Sequence, residues 1–151
     1  MQAKVIVLDA NLLLLLVVGL TSRAYISKHK RLQGYEELDF DLLICLIGSA
    51  DVIVTPNTLT ETSNLVGQIR EPARKQIYQR IRQMLTRLEE RYIQSARAAE
   101  YKEFPRLGLA DAAQLDVTGE SHTLLTSDLD LYLAATARGL KAANFNHYRG
   151  M

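Results

Sequence analysis

Short apolar runs alternating with helical stretches predict an α/β domain: a three-layer α/β/α sandwich with a central, mostly parallel sheet. Two observations carry this. The runs Val5-Ile6-Val7-Leu8, Val52-Ile53-Val54 and Thr123-Leu124-Leu125-Thr126 are too short for helices and do not alternate with polar residues, as befits strands covered on both faces. Between them the apolar spacing changes to a helical period. At 151 residues the chain suits one domain, 1–151, with room for a real core.

Val5 to Leu8 is the first strand. Asp9-Ala10-Asn11 breaks the apolar run, and Leu12 to Leu20 suits a buried helix. The stretch after Lys4 superficially resembles a targeting segment, but Asp9 and Asn11 interrupt it and no small-x-small cleavage site follows. It is also shorter than the about 20 apolar residues of a membrane span. The expectation is a cytoplasmic protein with no membrane partner.

Thr21 to Tyr35 is polar and basic, an insertion at about 21–35 read as a loop or a poorly packed helix. Glu36 to Ser49 is helical, with Leu38, Leu42, Leu43 and Leu46 at i, i+4, i+5 and i+8. Val52 to Val54 is the second strand, ended by Thr55-Pro56, and a helix follows from Thr58 to Ile69. Pro72 suits the first turn of a long helix at about 72–99, whose apolar face is Ile77, Ile81, Leu85, Leu88 and Tyr92. That helix offers a second apolar strip for a homodimer. Leu109 to Val117 is helical, Thr123 to Thr126 the third strand, Leu129 to Arg138 a helix closed by Gly139, and Leu140 to Phe145 a final strand.

With 48% apolar and 23% charged residues the composition is that of an ordinary globular protein. A formal net charge of +1 identifies no polyanionic partner, so only the distribution of charge is informative. The single Cys45, inside Leu42-Leu43-Ile44-Cys45-Leu46-Ile47, reads as a buried small hydrophobe. It provides neither a disulfide framework nor a thiolate metal site.

Four acids stand where an apolar segment gives way to a helix: Asp9, Glu61, Asp111 and Asp128. Parallel α/β sheets place their sites beyond the carboxyl ends of the strands, so the fold class can bring all four together. Singly, each has a structural explanation. Asp9 can cap the helix it precedes, and Thr58-Leu59-Thr60-Glu61 matches a capping box. Asp111 and Asp128 suit a first helical turn.

The ordered set resembles the PIN-domain nucleases. The resemblance rests on Asp9-Ala10-Asn11 after the first strand and Glu61 in Thr55-Pro56-Asn57-Thr58-Leu59-Thr60-Glu61. It continues with Asp111 in Gly108-Leu109-Ala110-Asp111-Ala112-Ala113 and Asp128 in Leu125-Thr126-Ser127-Asp128-Leu129-Asp130, and covers nearly the whole chain. It implies metal-dependent cleavage of RNA, in many members by a toxin whose acidic pocket an antitoxin blocks, and often by a dimer. It assigns Asp9, Glu61, Asp111 and Asp128 as metal-binding, catalytic acids, with Asn11 and Thr126 as polar supports. Asp130 competes with Asp128 for the fourth position, and Asp128 is nearer the strand. The basic segment and the long helix depart from the compact toxins.

The residue chemistry points the same way. Several neighbouring carboxylates need protons or a cation between them. An oxygen-only set with no His or Cys suits Mg²⁺ or Mn²⁺ rather than zinc. Such ions bind phosphate oxygens and acidify water, and a pair of them about 3.5–4 Å apart would serve both attacking and leaving oxygens. In-line hydrolysis leaving a 3′-hydroxyl and a 5′-phosphate is the expected reaction. Arg23, Lys28, Lys30 and Arg31 lie in 21–35 with no acid among them and are the candidate RNA-binding cations. Arg80, Arg87 and Arg91 could add a face of the long helix.

Two other readings stand beside this one. One is a PIN-like RNA-binding or regulatory domain without turnover, against which four intact acids argue. The other is a phosphotransfer domain resembling response regulators, which wants a Lys closing a late strand. Lys141 instead precedes its strand.

Overall fold

The computed structural model describes residues 4–119 and 121–150. Five parallel strands form one sheet: β1 (Val5–Leu8), β2 (Asp51–Val54), β3 (Glu89–Glu90), β4 (Thr123–Thr126) and β5 (Lys141–Asn144), in the order β3-β2-β1-β4-β5. One face is covered by α1 (Ala10–Thr21), α2 (Glu37–Ile47), α3 (Pro56–Val66) and α4 (Ala73–Met84). The other is covered by α7 (Leu109–Thr118) and α8 (Leu129–Ala137). The short helices α5 (Ser95–Ala98) and α6 (Phe104–Leu107) pack beside α7. The fold is therefore the three-layer α/β/α sandwich with a central parallel sheet.

Period-two alternation distributes β1 between the layers. Ile6 and Leu8 join the α1 core, and Val7 joins Ile53, Leu124, Leu115 and Leu131 on the other side. Helix α1 is buried along almost its whole length because it lies between the sheet and three other helices. Gly19 is what lets α2 approach it: a Cβ there would fall 2.1 Å from Phe40 Cδ1. Among the described residues no helix is long and apolar enough to cross a membrane.

Several sequence expectations are corrected. The long helix at 72–99 ends at Met84. No Gly or Pro stops it. Instead Glu89 and Glu90 pair with Ile53 and Val54, and the Arg91 N–H donates to Val54 O at 2.9 Å. The free edge of β2 competes successfully with helix propensity. Tyr92 and Leu85 are consequently exposed, and the expected apolar face from Ile77 to Tyr92 is not one surface. Nor do Arg80, Arg87 and Arg91 share a helix face, since only Arg80 lies in α4.

Cys45 is exposed rather than buried. Helix α2 presents Phe40 and Leu43 to the core, which leaves Leu38, Ile44 and Cys45 outside. Segment 21–35 is neither loop nor poorly packed helix. It forms 3-10 turns over Arg23–Lys28 and Lys30–Leu32, anchored by the fully buried Ile26, His29 and Leu32.

Candidate functional site

The carboxyl edge of the sheet carries a row of buried polar side chains. Leu8 faces Leu125 in the β1/β4 register, so Asp9 and Thr126 come next, and Thr126 faces Asn144 on β5. Asp9, Thr126, Asn144 and Thr55 are all buried. Buried polar groups need partners, and these have them. The Thr126 hydroxyl donates to Asp9 Oδ2 and accepts from the Asp128 N–H at 2.9 Å. The Ser127 N–H donates to the same Asp9 oxygen at 3.0 Å. Asp9 Oδ1 accepts from the Leu12 N–H at 2.9 Å and so caps α1.

Thr55 caps α3 by accepting from the Thr58 N–H at 3.1 Å, and Asn144 Oδ1 accepts from the Asn146 N–H at 2.9 Å. Thr55, Ser127 and Asn144 were missed by the sequence reading. Thr55 and Asn144 carry the signal that found Asp9, a polar residue closing a short apolar run. Tyr35 lies beside them. Burial pushes its hydroxyl up, Ser127 opposes that, and the Asp9 carboxylate adds to the rise, so the ring sits against the same corner.

Burial pushes the Asp9 carboxyl above its ordinary range. The hydrogen bonds from Thr126, Leu12 and Ser127 oppose the rise, and Asp128 adds to it. Asp111 is pushed up to about 7, by burial first and then by Asp128, Asp9, Glu61 and Asp130 in that order. All four sequence-predicted acids thus lie in one electrostatic field. Asp130 acts on Asp111 least, behind Asp128.

Capping accounts for some of this set and not the rest. Asp128 Oδ1 accepts from the Leu131 N–H at 3.1 Å and caps α8, as Asp9 caps α1. Glu61 does not belong to a capping box, because Thr55 is the N-cap of α3 and Glu61 lies in its second turn. Asp111 is in the first turn of α7, whose N-cap is Gly108, and makes no cap hydrogen bond. Gly108 has φ +87°, a conformation L side chains rarely adopt, and this backbone reversal sets where α7 and Asp111 begin. Asn11 is exposed in the first turn of α1.

The donor chemistry of the set, carboxylates and hydroxyls without His or Cys, fits a hard divalent cation. As they stand, no group of three His, Cys, Asp or Glu among the described residues is drawn together tightly enough to hold an ion. Asp9 is held by three donors; Glu61 and Asp128 are exposed and Asp111 is half-buried. Beside Glu61 a cleft of about 500 Å³ opens, edged by the exposed Tyr92 and by Asn57, Asn64 and Leu109.

The candidate RNA-binding cations lie elsewhere. Segment 21–35 begins after the C-terminus of α1, so Arg23 is about 18 Å along that helix from Asp9. Arg23 pairs with Asp41 at 2.7 Å, a counter-charge supplied by α2. Lys28, Lys30 and Arg31 are exposed. The four cations therefore do not surround the acids.

No protein-family model matches this chain, and no curated protein matches it. Among solved structures, a domain of a functionally unknown protein from Methanocaldococcus jannaschii DSM 2661 is similar, at 18% identity and a TM-score of 0.48. The likeness covers 94% of this chain and 91% of that one.

Proposed function

We propose that this protein is a Mg²⁺- or Mn²⁺-dependent endoribonuclease of PIN-like type, acting in the cytoplasm. One observation carries the reading: burial, and after it the charges of Asp128, Asp9, Glu61 and Asp130, raise the Asp111 carboxyl to about 7. A half-buried acid opposed in this way is relieved either by a proton or by a cation. The fold's helix caps do not need Asp111 or Glu61, which favours the cation.

Asp9, Glu61, Asp111 and Asp128 would hold the ion, with Asp130 as an outer charge. Bound there, the ion would supply a Lewis acid for a nonbridging phosphate oxygen and a more acidic water. The chain's own groups divide the remaining work. Thr126, Leu12 and Ser127 fix Asp9 rigidly, giving the site one immobile ligand. Exposed Glu61, and the Asp128 oxygen left free by its cap bond, could reach such an ion. The cleft beside Glu61, otherwise uncharged, takes the flanking nucleotide, with Tyr92 available to stack on a base. The products are a 3′-hydroxyl and a 5′-phosphate.

The test is incubation with single-stranded RNA in Mn²⁺ or in EDTA, alongside Asp9→Asn and Asp111→Asn. Cleavage is expected only for the unsubstituted protein with metal. Cleavage that survives chelation or either substitution defeats the mechanism. RNA binding without turnover in Mn²⁺ would favour the non-catalytic PIN-like reading.

A further inference from the structure

A second cleft, of about 670 Å³, lies where segment 21–35 meets the α3–α4 connection. Lys28, Lys30 and Arg70 line it, with Tyr25, Ile69 and Pro72 as a less polar floor. The ion pairs among the described residues engage Arg23, Arg91, Arg97, Arg138 and Arg149, none of which lines this cleft. Lys28 Nζ lies 6.0 Å from the centroid of the Tyr25 ring. Glu71 is the one acid in the wall, and its Oε1 accepts from the Lys75 N–H at 2.8 Å in the first turn of α4. Three exposed cations facing one concavity with a single acid form a site for an anion.

The cleft is joined to the acids by one helix face. Asn57, Thr60, Glu61 and Asn64 line the first cleft, while Gly67 and Gln68 line the second. These positions fall at i, i+3, i+4, i+7, i+10 and i+11, a single stripe along α3 and its end. Apart from Glu61 the stripe is uncharged. At 1.5 Å per residue, Gly67 lies about 9 Å beyond Glu61, roughly three stacked nucleotides at 3.4 Å each.

We propose that the Lys28–Lys30–Arg70 cleft binds the phosphates of an RNA strand whose neighbouring segment crosses α3 to the acids. This rests on the nuclease reading for its choice of RNA over other polyanions. It also changes the role of the basic insertion, whose lysines hold the strand away from the reacting bond rather than at it.

The experiment compares the protein with a Lys28→Gln/Lys30→Gln/Arg70→Gln variant and a Lys141→Gln control, each checked by circular dichroism. Binding of a labelled single-stranded 12-mer is followed in EDTA across a salt series, and cleavage of the 12-mer and of a dinucleotide is followed in Mn²⁺. Loss of three phosphate contacts should make the slope of log K against log salt shallower by about 2. KM for the 12-mer should rise with kcat little changed, and the dinucleotide, unable to reach both sites, should be cleaved equally by all three proteins. An unchanged slope and KM with cleavage intact would overturn the cleft and leave the nuclease standing. The expected slope change with no cleavage of either substrate by any protein would sink the nuclease and keep the cleft. Displacement of the 12-mer by micromolar adenosine monophosphate would reassign the cleft to a free nucleotide and overturn the proposal.

Discussion

Replacing Asp111 by Asn keeps the shape of the side chain and removes its charge, and the effect on stability should change sign with metal. In the folded chain, burial and four neighbouring carboxylates raise this carboxyl from 3.8 to about 7. Between those values the folded state holds a proton that the unfolded state has released. Stability therefore falls as pH rises through the window and is lowest above about pH 7. A shift of this size has a limit of about 4 kcal/mol at about 1.4 kcal/mol per unit. Because Asp111 is only half-buried, solvent screening reduces this to about 1–2 kcal/mol. In a chain of this length that is a melting shift of about 2–6 °C. In EDTA at pH 8 the Asn variant should melt above the unsubstituted protein, with the gap closing toward pH 4. Saturating Mn²⁺ should invert the order, since the unsubstituted protein gains about 2.7 kcal/mol at 100 times its Kd and the variant gains little. Thermal scans across this pH range, with and without metal, read both effects. An Asn variant less stable in EDTA at pH 8 would refute the picture of a mutually repelling set. Equal metal-induced shifts would remove Asp111 from the ligands.

Three other measurements probe the surroundings of the site. Thr126→Val takes a donor from Asp9 and an acceptor from the Asp128 N–H. It should cost about 1–3 kcal/mol in urea unfolding and depress cleavage, with Thr126→Ser restoring both; an unchanged midpoint would show that Asp9 does not need this bond. Gly19→Ala should gain about 1 kcal/mol on helix propensity alone. The added Cβ would instead meet Phe40 at 2.1 Å, so a net loss of about 1–3 kcal/mol is expected, and Phe40→Leu in the same chain should recover part of it. His29 is fully buried, and burial lowers its pKa from 6.5. Its contribution to stability is retained above pH 6.5 and lost as the pH falls below it; an NMR titration placing the ring above 6.5 would contradict this.

The parts of the fold readable from the sequence are those governed by local pattern. The apolar runs located β1, β2 and β4 to within a residue, because strands buried on both faces must be short and apolar. The break in the long helix was not readable. Its residues 85–91 keep a helical period, and only the open edge of β2, formed by chain more than thirty residues earlier, draws Glu89 and Glu90 out of it. Cys45 shows the same limit, since an apolar run does not reveal which of its sides the core will take. Position after a strand was enough to place Asp9 and Asp128 at the carboxyl edge of the sheet. The separation of Arg23 from those acids depends on the length of α1 and the Asp41 pair, neither of which a spacing rule contains.

A parallel sheet gathers strand ends and helix beginnings at one edge, so acids that cap helices collect there in proteins of any function. Proximity of carboxylates at such an edge is therefore weak support for metal chemistry, and Asp9 and Asp128 alone would carry little. The discriminating residues are those that no helix cap uses. Glu61 lies past the capping position of α3, and Asp111 begins α7 without a cap hydrogen bond. Both nevertheless add negative charge to a site that already has two acids, and Asp111 is raised toward neutrality by burial first and by that charge second. A chain shaped only for stability would gain by losing Asp111, as the Asn substitution should show. Retaining a group that raises the free energy of the folded state is what a ligand site requires, because the same repulsion is released when a cation binds.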